Sequence, residues 1–462
     1  MKKLSALILS LALALTALPA FAETGIVLRP VENLAGPDTV LVTKHMITVT
    51  QEWLAANGAT LADLENLGDA GLKTETAEQP LPAELLESGE ARVLSVSPDG
   101  VTVLLEYQGV PLLLKNGRVS MVSMDLTRCG YSEQTGYIEA VHFIRSMMLH
   151  KVGPGKAGFV WTQDGRYAIL SNTYVVFSHM VDKYGLMWLD TENAEIYMAE
   201  PGGKIGIGAA SGGVSSFVMQ VGSDSAGGNM YCTVQGEKDG ERAVILRRYP
   251  AGSAEYEELA GIPGTMCCEG MGIDGDEKLV FTVWDYRDNF LVSCSPEDGT
   301  YTAERLPEGL KPSLLTVTPV CTALKAALQG TSPYMAVLFR TGDGLSRLVL
   351  DEGAGNARLE PVNADTRLMS EGIGITQAAL SADGTRMLVC GIGAEAGFRI
   401  YLMDTESLAL TPVDASAAGN ADGPAFGSDR KFMPGLCFTG GDRYVLAGFQ
   451  DGSTVLYELV SE

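Results

Sequence analysis

The sequence predicts an all-β chain: a seven-bladed β-propeller of four-stranded antiparallel blades, with six or eight blades as open alternatives, preceded by a small N-terminal helical and linker segment. Three observations predict it. First, one phrase returns along the chain: apolar strand, Ser or Thr, any residue, Asp-Gly, apolar strand. It stands clearly in Val93–Leu105 (VLSVSPDGVTVLL), Phe159–Leu170 (FVWTQDGRYAIL) and Gln377–Val389 (QAALSADGTRMLV), and more loosely in Gly270–Phe281 and Leu436–Ala447. Second, the 54 glycines and 46% apolar residues suit many short strands joined by tight turns. Third, 462 residues exceed the ~250–300 that one continuous core supports, and radial repetition escapes that limit because each sheet packs only on its neighbours.

Residues 1–22 read as a secretory signal. Lys2 and Lys3 form the charged start, Leu4–Leu18 the apolar stretch, and Ala20-Phe21-Ala22 the small-residue site, with cleavage expected before Glu23. The apolar run falls short of the ~20 residues that a bilayer span needs, and no later stretch is long and apolar enough for one. Export with no membrane span after cleavage is therefore expected, to the periplasm, cell envelope or exterior.

Residues 23–90 form the N-terminal segment. Gln51–Asn57 and Leu61–Leu67 have helical spacing, with Thr60 and Asp63 placed like a capping box. Thr74–Glu90, rich in Pro, Glu and Ala, reads as a linker. The chain finishes just after Thr454–Val460, a third strand with no fourth behind it. A strand from the N-terminal segment, Thr39–Thr43 or Met46–Thr50, is expected to complete that last blade and hide its edge.

Residues 91–462 form the propeller. The glycines of the inner hairpin turns, Gly100, Gly165, Gly228, Gly275, Gly330, Gly384 and Gly441, recur at a mean step of about 57 residues, longer than a WD-type blade. A second hairpin follows the inner one, as in Leu186–Met198, Phe290–Thr302, Arg347–Leu359 and Arg399–Thr411. A low-complexity loop is expected over Pro412–Gly435. Asp-Gly suits these hairpins because glycine takes positive φ without penalty and aspartate satisfies nearby amides, so the aspartates read as structural.

Ser97-Pro98-Asp99-Gly100 between two apolar strands, with Ser381-Ala382-Asp383-Gly384 and Thr162-Gln163-Asp164-Gly165 matching it apart from the proline, resembles the TolB-like and WD-type β-propeller repeats. The units at Gly228 and Gly330 depart from the pattern, the first with VGSDSAGGN and the second with CTALKAALQGTSP. The resemblance implies a fold and leaves function open, since propellers serve as scaffolds, binding proteins and enzymes alike.

The net charge of −24 disfavours nucleic acid and anionic lipid as partners. Eight cysteines show no Cys-x-x-Cys or Cys/His ligand spacing, so neither a metal nor another cofactor is expected. Cys232, Cys294, Cys390 and Cys437 fall inside predicted strands as small buried hydrophobes, and Cys267 and Cys268, pointing to opposite faces, are not expected to pair.

Strand order places the link from the first blade to the second (125–157) and the link Asn172–Gly185 on one face of the ring. Together they hold three of the four histidines. Gly136–His150 has helical character, halted by Gly153-Pro154-Gly155. Two readings stand for this cluster. His142, Arg145, His150, His179, Lys183 and Tyr184 surround a ligand pocket, or the same helix simply plugs the mouth of the ring. A lone histidine is more often a satisfied residue than a ligand, which weighs toward the plug. No catalytic residue is nominated: Asp274-Gly275-Asp276-Glu277 is too short for a calcium loop, and Gly206-Ile207-Gly208 and Ser211 lack the strand-to-helix setting of a dinucleotide or nucleophile motif. Trp161, Trp188 and Trp284 read as packing residues in strands.

The expected function is an exported, non-catalytic scaffold or binding module for a protein or cell-envelope polymer. The alternatives are a glycan-acting hydrolase or lyase with its site in the propeller mouth, and a small-ligand sensor.

Overall fold

A computed structural model of the chain describes residues 25–31, 34–36, 38–48, 72–81, 91–107, 110–124, 159–170, 187–199, 218–223, 228–273, 277–306, 316–317, 337–341, 344–350, 357–361, 373–381, 385–393, 397–404, 409–414, 432–449 and 452–461. Every regular element among them is a β-strand. The molecule is a β-propeller. Each unit is a meander of short strands, and the first is Arg92–Val96, Thr102–Tyr107, Val110–Lys115 and Arg118–Met121. Equivalent meanders follow over 159–198, 218–263, 266–305, 316–361 and 373–414, and the last starts at Phe432.

Inner strands are apolar on both faces, as in Leu279–Trp284 (LVFTVW) and Thr102–Tyr107 (TVLLEY), because each sheet is sandwiched between two others. Alternate residues serve different neighbours. Leu104 joins a core with Trp188 and Ile169 of the second meander, whereas Val103 and Leu105 join one with Leu446 and Leu456 of the last. Likewise Ile245 of the third meander packs towards the second, and Val244 and Leu246 pack with Phe281 and Val283 of the fourth. Each fully buried Leu or Phe removed from water contributes roughly 1.5–3 kcal/mol.

Closure into a ring is explicit, since the first meander meets the last. Val96 N–H donates to Thr439 Oγ1 at 2.8 Å, the same hydroxyl donates to Val96 O at 2.9 Å, and Gly440 N–H donates to Val96 O at 3.2 Å. Thr454 Oγ1 donates to Val93 O at 2.7 Å. A linear stack of sheets would leave these residues at opposite ends.

The last meander, Phe432–Thr439, Tyr444–Phe449 and Thr454–Ser461, takes its fourth strand from the start of the chain. Ile26–Pro30 pairs antiparallel with it, from Ile26 opposite Ser461 to Pro30 opposite Tyr457. The same strand also pairs parallel with Leu410–Asp414, joining two meanders into one eight-stranded sheet. This corrects the expected donor. Val40–Thr43 and Met46–Thr48 of the two nominated segments lie instead in Val40–Thr48, which adds in parallel to Arg118–Met121 of the first meander and is not paired with the last. Ile26–Pro30 wins the place because its Leu28 is wholly buried between the last two meanders.

A second correction concerns the linker. Leu72–Pro80 is a strand, antiparallel to Val40–Thr48 over its full length. Its alternation of Thr with charged and small residues suits an exposed edge, although its composition reads as linker. The low-complexity loop is also shorter than expected, since Leu410–Asp414 and Phe432–Thr439 are strands. The expected helices over 51–57, 61–67 and 136–150 lie outside the described residues.

Candidate functional site

The recurring turn is one hydrogen-bonded unit. In the first meander Ser97 Oγ donates to Asp99 Oδ1 at 2.5 Å and accepts from Thr102 N–H at 2.9 Å, while Val101 N–H donates to the same carboxylate oxygen at 3.0 Å. The second meander repeats it atom for atom: Thr162 Oγ1 donates to Asp164 at 2.6 Å and accepts from Tyr167 N–H, and Arg166 N–H donates to Asp164 at 2.9 Å. In the sixth, Arg386 N–H donates to Ser381 Oγ at 2.9 Å. Gly100 and Gly165 hold φ of 73° and 64°. Partial burial of the Asp164 carboxyl works against its charge, but the Thr162 hydroxyl, the Arg166 amide and the Arg166 guanidinium outweigh it and hold the group below its ordinary value. These aspartates hold the chain in place.

The turns also stack around the ring. A Cβ on Gly165 would lie 2.9 Å from Asp99 Oδ1, and one on Gly441 would lie 2.3 Å from Pro98 O. Glycine is needed at both positions twice over, for positive φ and for the close approach of the neighbouring turn.

Near this end, at the seam between first and last meanders, lies a cleft of about 260 Å³. Val96, Val103 and Leu114 line it from the first meander, Tyr444 and Leu456 from the last, and Val31, Leu34 and Ala35 from the segment running between the closing strand and the next. Polar lining comes from Thr39 and Asn116. Asn116 and Gly117, with φ of 51° and 72°, form the two-residue hairpin turn at its rim. The cleft is lined by mostly apolar side chains together with backbone and side-chain polar groups, and none of its lining residues is a carboxylate.

The residues nominated around a ligand pocket, His142, Arg145, His150, His179, Lys183 and Tyr184, all lie outside the described residues. The strands that flank them do not: Leu170 and Met187 bound residues 171–186 and lie at the end of the ring opposite the Asp-Gly turns. The seam cleft was not nominated, because it forms from three stretches far apart in sequence. Its one local signal is Asn116-Gly117.

Among the described residues no group of three or more His, Cys, Asp or Glu is arranged to hold a metal, and no helix is long and apolar enough to cross a membrane. Cys232, Cys294 and Cys390 are buried free thiols; burial pushes the Cys294 thiol up to about 11 and the Cys390 thiol higher still. Such thiols are poor nucleophiles at neutral pH. Trp161 and Trp188 are packing residues that also tie sheets together, donating to Ser95 Oγ at 2.8 Å and Ser253 O at 2.7 Å. Trp284 is half-buried and meets Tyr286.

No family model matches the chain, and no curated protein matches it in sequence. Solved structures do. The chain is similar to an oligogalacturonate lyase from Vibrio parahaemolyticus at 11% identity and TM-score 0.42, covering 92% of this chain and 98% of that one. It is similar to TolB from Acinetobacter baumannii at 11% identity and TM-score 0.35, covering 71% and 69%. It is also similar to prolyl oligopeptidase B from Galerina marginata at 8% identity and TM-score 0.44, covering 80% of this chain and 49% of that one.

Proposed function

We propose that the chain is an exported, non-catalytic β-propeller acting as a scaffold or binding module for a protein or cell-envelope polymer. The observation that supports this reading is the employment of its acidic side chains. Asp99, Asp164, Asp190, Asp285 and Asp298 each accept hydrogen bonds from backbone amides of their own turns, a use of carboxylates that rigidifies a surface rather than activating a substrate. The signal over residues 1–22 supplies the export. Seven blades belong to the same proposal: projection images of the particle down its axis would show seven spokes, and six or eight would overturn the count.

The test is a pull-down from envelope extract with the mature protein as bait. Recovery of one saturable partner, released by unlabelled bait, is the expected result; turnover of an oligosaccharide by the purified protein would overturn the non-catalytic reading. The seam cleft favours one second reading, a small-ligand sensor. A thermal-shift screen tests it, with Val96→Trp filling the cleft as the control variant.

A further inference from the structure

The end of the ring opposite the Asp-Gly turns carries a side chain in an unexpected conformation. Tyr286 sits in the link between Leu279–Trp284 and Asn289–Cys294 with φ of 74°. Of the other non-glycine residues with positive φ among the described residues, Asn116, Asp239 and Asp442 are of the short polar kind that tolerates it, and Ala194 and Glu277 are not aromatic. An aromatic residue holds that backbone under strain, and burial offsets only part of it, because Tyr286 is 49% exposed.

The surroundings fix the ring in place. Asp285 Oδ1 accepts from Arg287 N–H at 2.9 Å and Asp288 N–H at 2.7 Å, and these two amides hold its carboxyl below the ordinary value. Asp288 is held in turn by Arg305 at 2.5 Å. The Tyr286 ring leans on Trp284, centroids 5.0 Å apart and planes inclined by 45°. From the neighbouring meander, Arg242 brings a guanidinium nitrogen 3.4 Å from the Tyr286 hydroxyl. Among the described residues Arg242 has no carboxylate within ion-pair distance, although Glu237 stands opposite it in the strand pair.

We propose that Trp284, Tyr286 and Arg242 form a shelf that stacks one pyranose ring of a polysaccharide. The proposal rests on the binding-module reading and names its ligand class. A sugar ring has an apolar C–H face bordered by hydroxyls. The shelf is its complement: an exposed aromatic face bordered by a guanidinium, a phenol and the Asp288–Arg305 pair.

The experiment follows Trp fluorescence of the full mature protein titrated with cellohexaose, chitohexaose and a hexagalacturonate, in wild type, Tyr286→Gly and Arg242→Gln. Glycine at 286 removes the ring and the strain together, so this variant folds at least as well as wild type. Expected is saturable binding of one of the three saccharides, weakened tenfold or more in Tyr286→Gly and several-fold in Arg242→Gln, with an unchanged or raised melting temperature. A saccharide that binds wild type and Tyr286→Gly equally overturns the shelf and leaves the binding module standing. So does a protein partner whose capture is lost in Tyr286→Gly while no saccharide binds. Failure to bind any saccharide or any envelope protein overturns both.

Discussion

At the Asp-Gly end of the propeller the inner turns put positive φ on Gly100, Gly165 and Gly441; at the other end, besides Asp239 and Gly240, it falls on a tyrosine. The turns at Gly100, Gly165 and Gly441 adopt that backbone without a Cβ, and two of them are pressed against the turn of the adjacent sheet. The turn at Asp285–Asp288 has the same kind of carboxylate lock but places a large exposed ring where glycine would fit better. The turns of the first end are shaped by packing on one another. The second end holds a conformational cost that the Trp284 contact offsets only in part, which fits the proposed shelf.

That contrast can be broken in several places, beginning with the largest effect. Gly441→Ala combines φ of 61° with a Cβ 2.3 Å from Pro98 O, so it forces the seam apart; a loss of about 3 kcal/mol in denaturant unfolding is expected. Gly117→Ala is its control. It has φ of 72° but open space around the added atom, and a loss of about 1 kcal/mol isolates conformational strain from collision. Equal losses in the two variants would show that the turns do not press on one another.

Asp164→Asn probes the lock through pH. The folded carboxyl lies below its unfolded value of 3.8, so its contribution is present above about pH 4 and fades as pH falls through the folded value. Wild type should therefore be the more stable at pH 6, with the gap to Asp164→Asn closing in acid melts. The smallest effect has the opposite sign. Tyr286→Gly should gain up to about 1 kcal/mol by relieving strain, partly offset by the lost Trp284 contact. A clear loss of stability would mean that the tyrosine is part of the packing.

The repeat was legible because its turn chemistry is local: Ser or Thr, Asp and Gly are within hydrogen-bonding reach of one another whatever the rest of the chain does. The second hairpins were legible for the same reason. The closing strand was anticipated in kind but assigned to Thr39–Thr43 or Met46–Thr50, both of them β-prone sequences. What decides the outcome is the burial of Leu28 between two distant sheets, which no local pattern reports. Thr74–Pro80 misled in the other direction, its linker-like composition hiding an edge strand. Trp284 was read as a packing residue, and only the backbone of the residue two places later marks it as half of a shelf. His142, Arg145, His150, His179, Lys183 and Tyr184 lie outside the described residues.

Ile26–Pro30 has a bearing on how the molecule is made. This strand precedes every blade along the chain, yet its partners, Leu410–Asp414 and Thr454–Ser461, belong to the last two meanders described. Until both are present it is a bare β edge with an apolar centre, and the charged Arg29 followed by Pro30 limits what it can pair with in the meantime. Completion of the circle thus waits for Thr454–Ser461, and a chain cut short of that strand has no closed state to fall into.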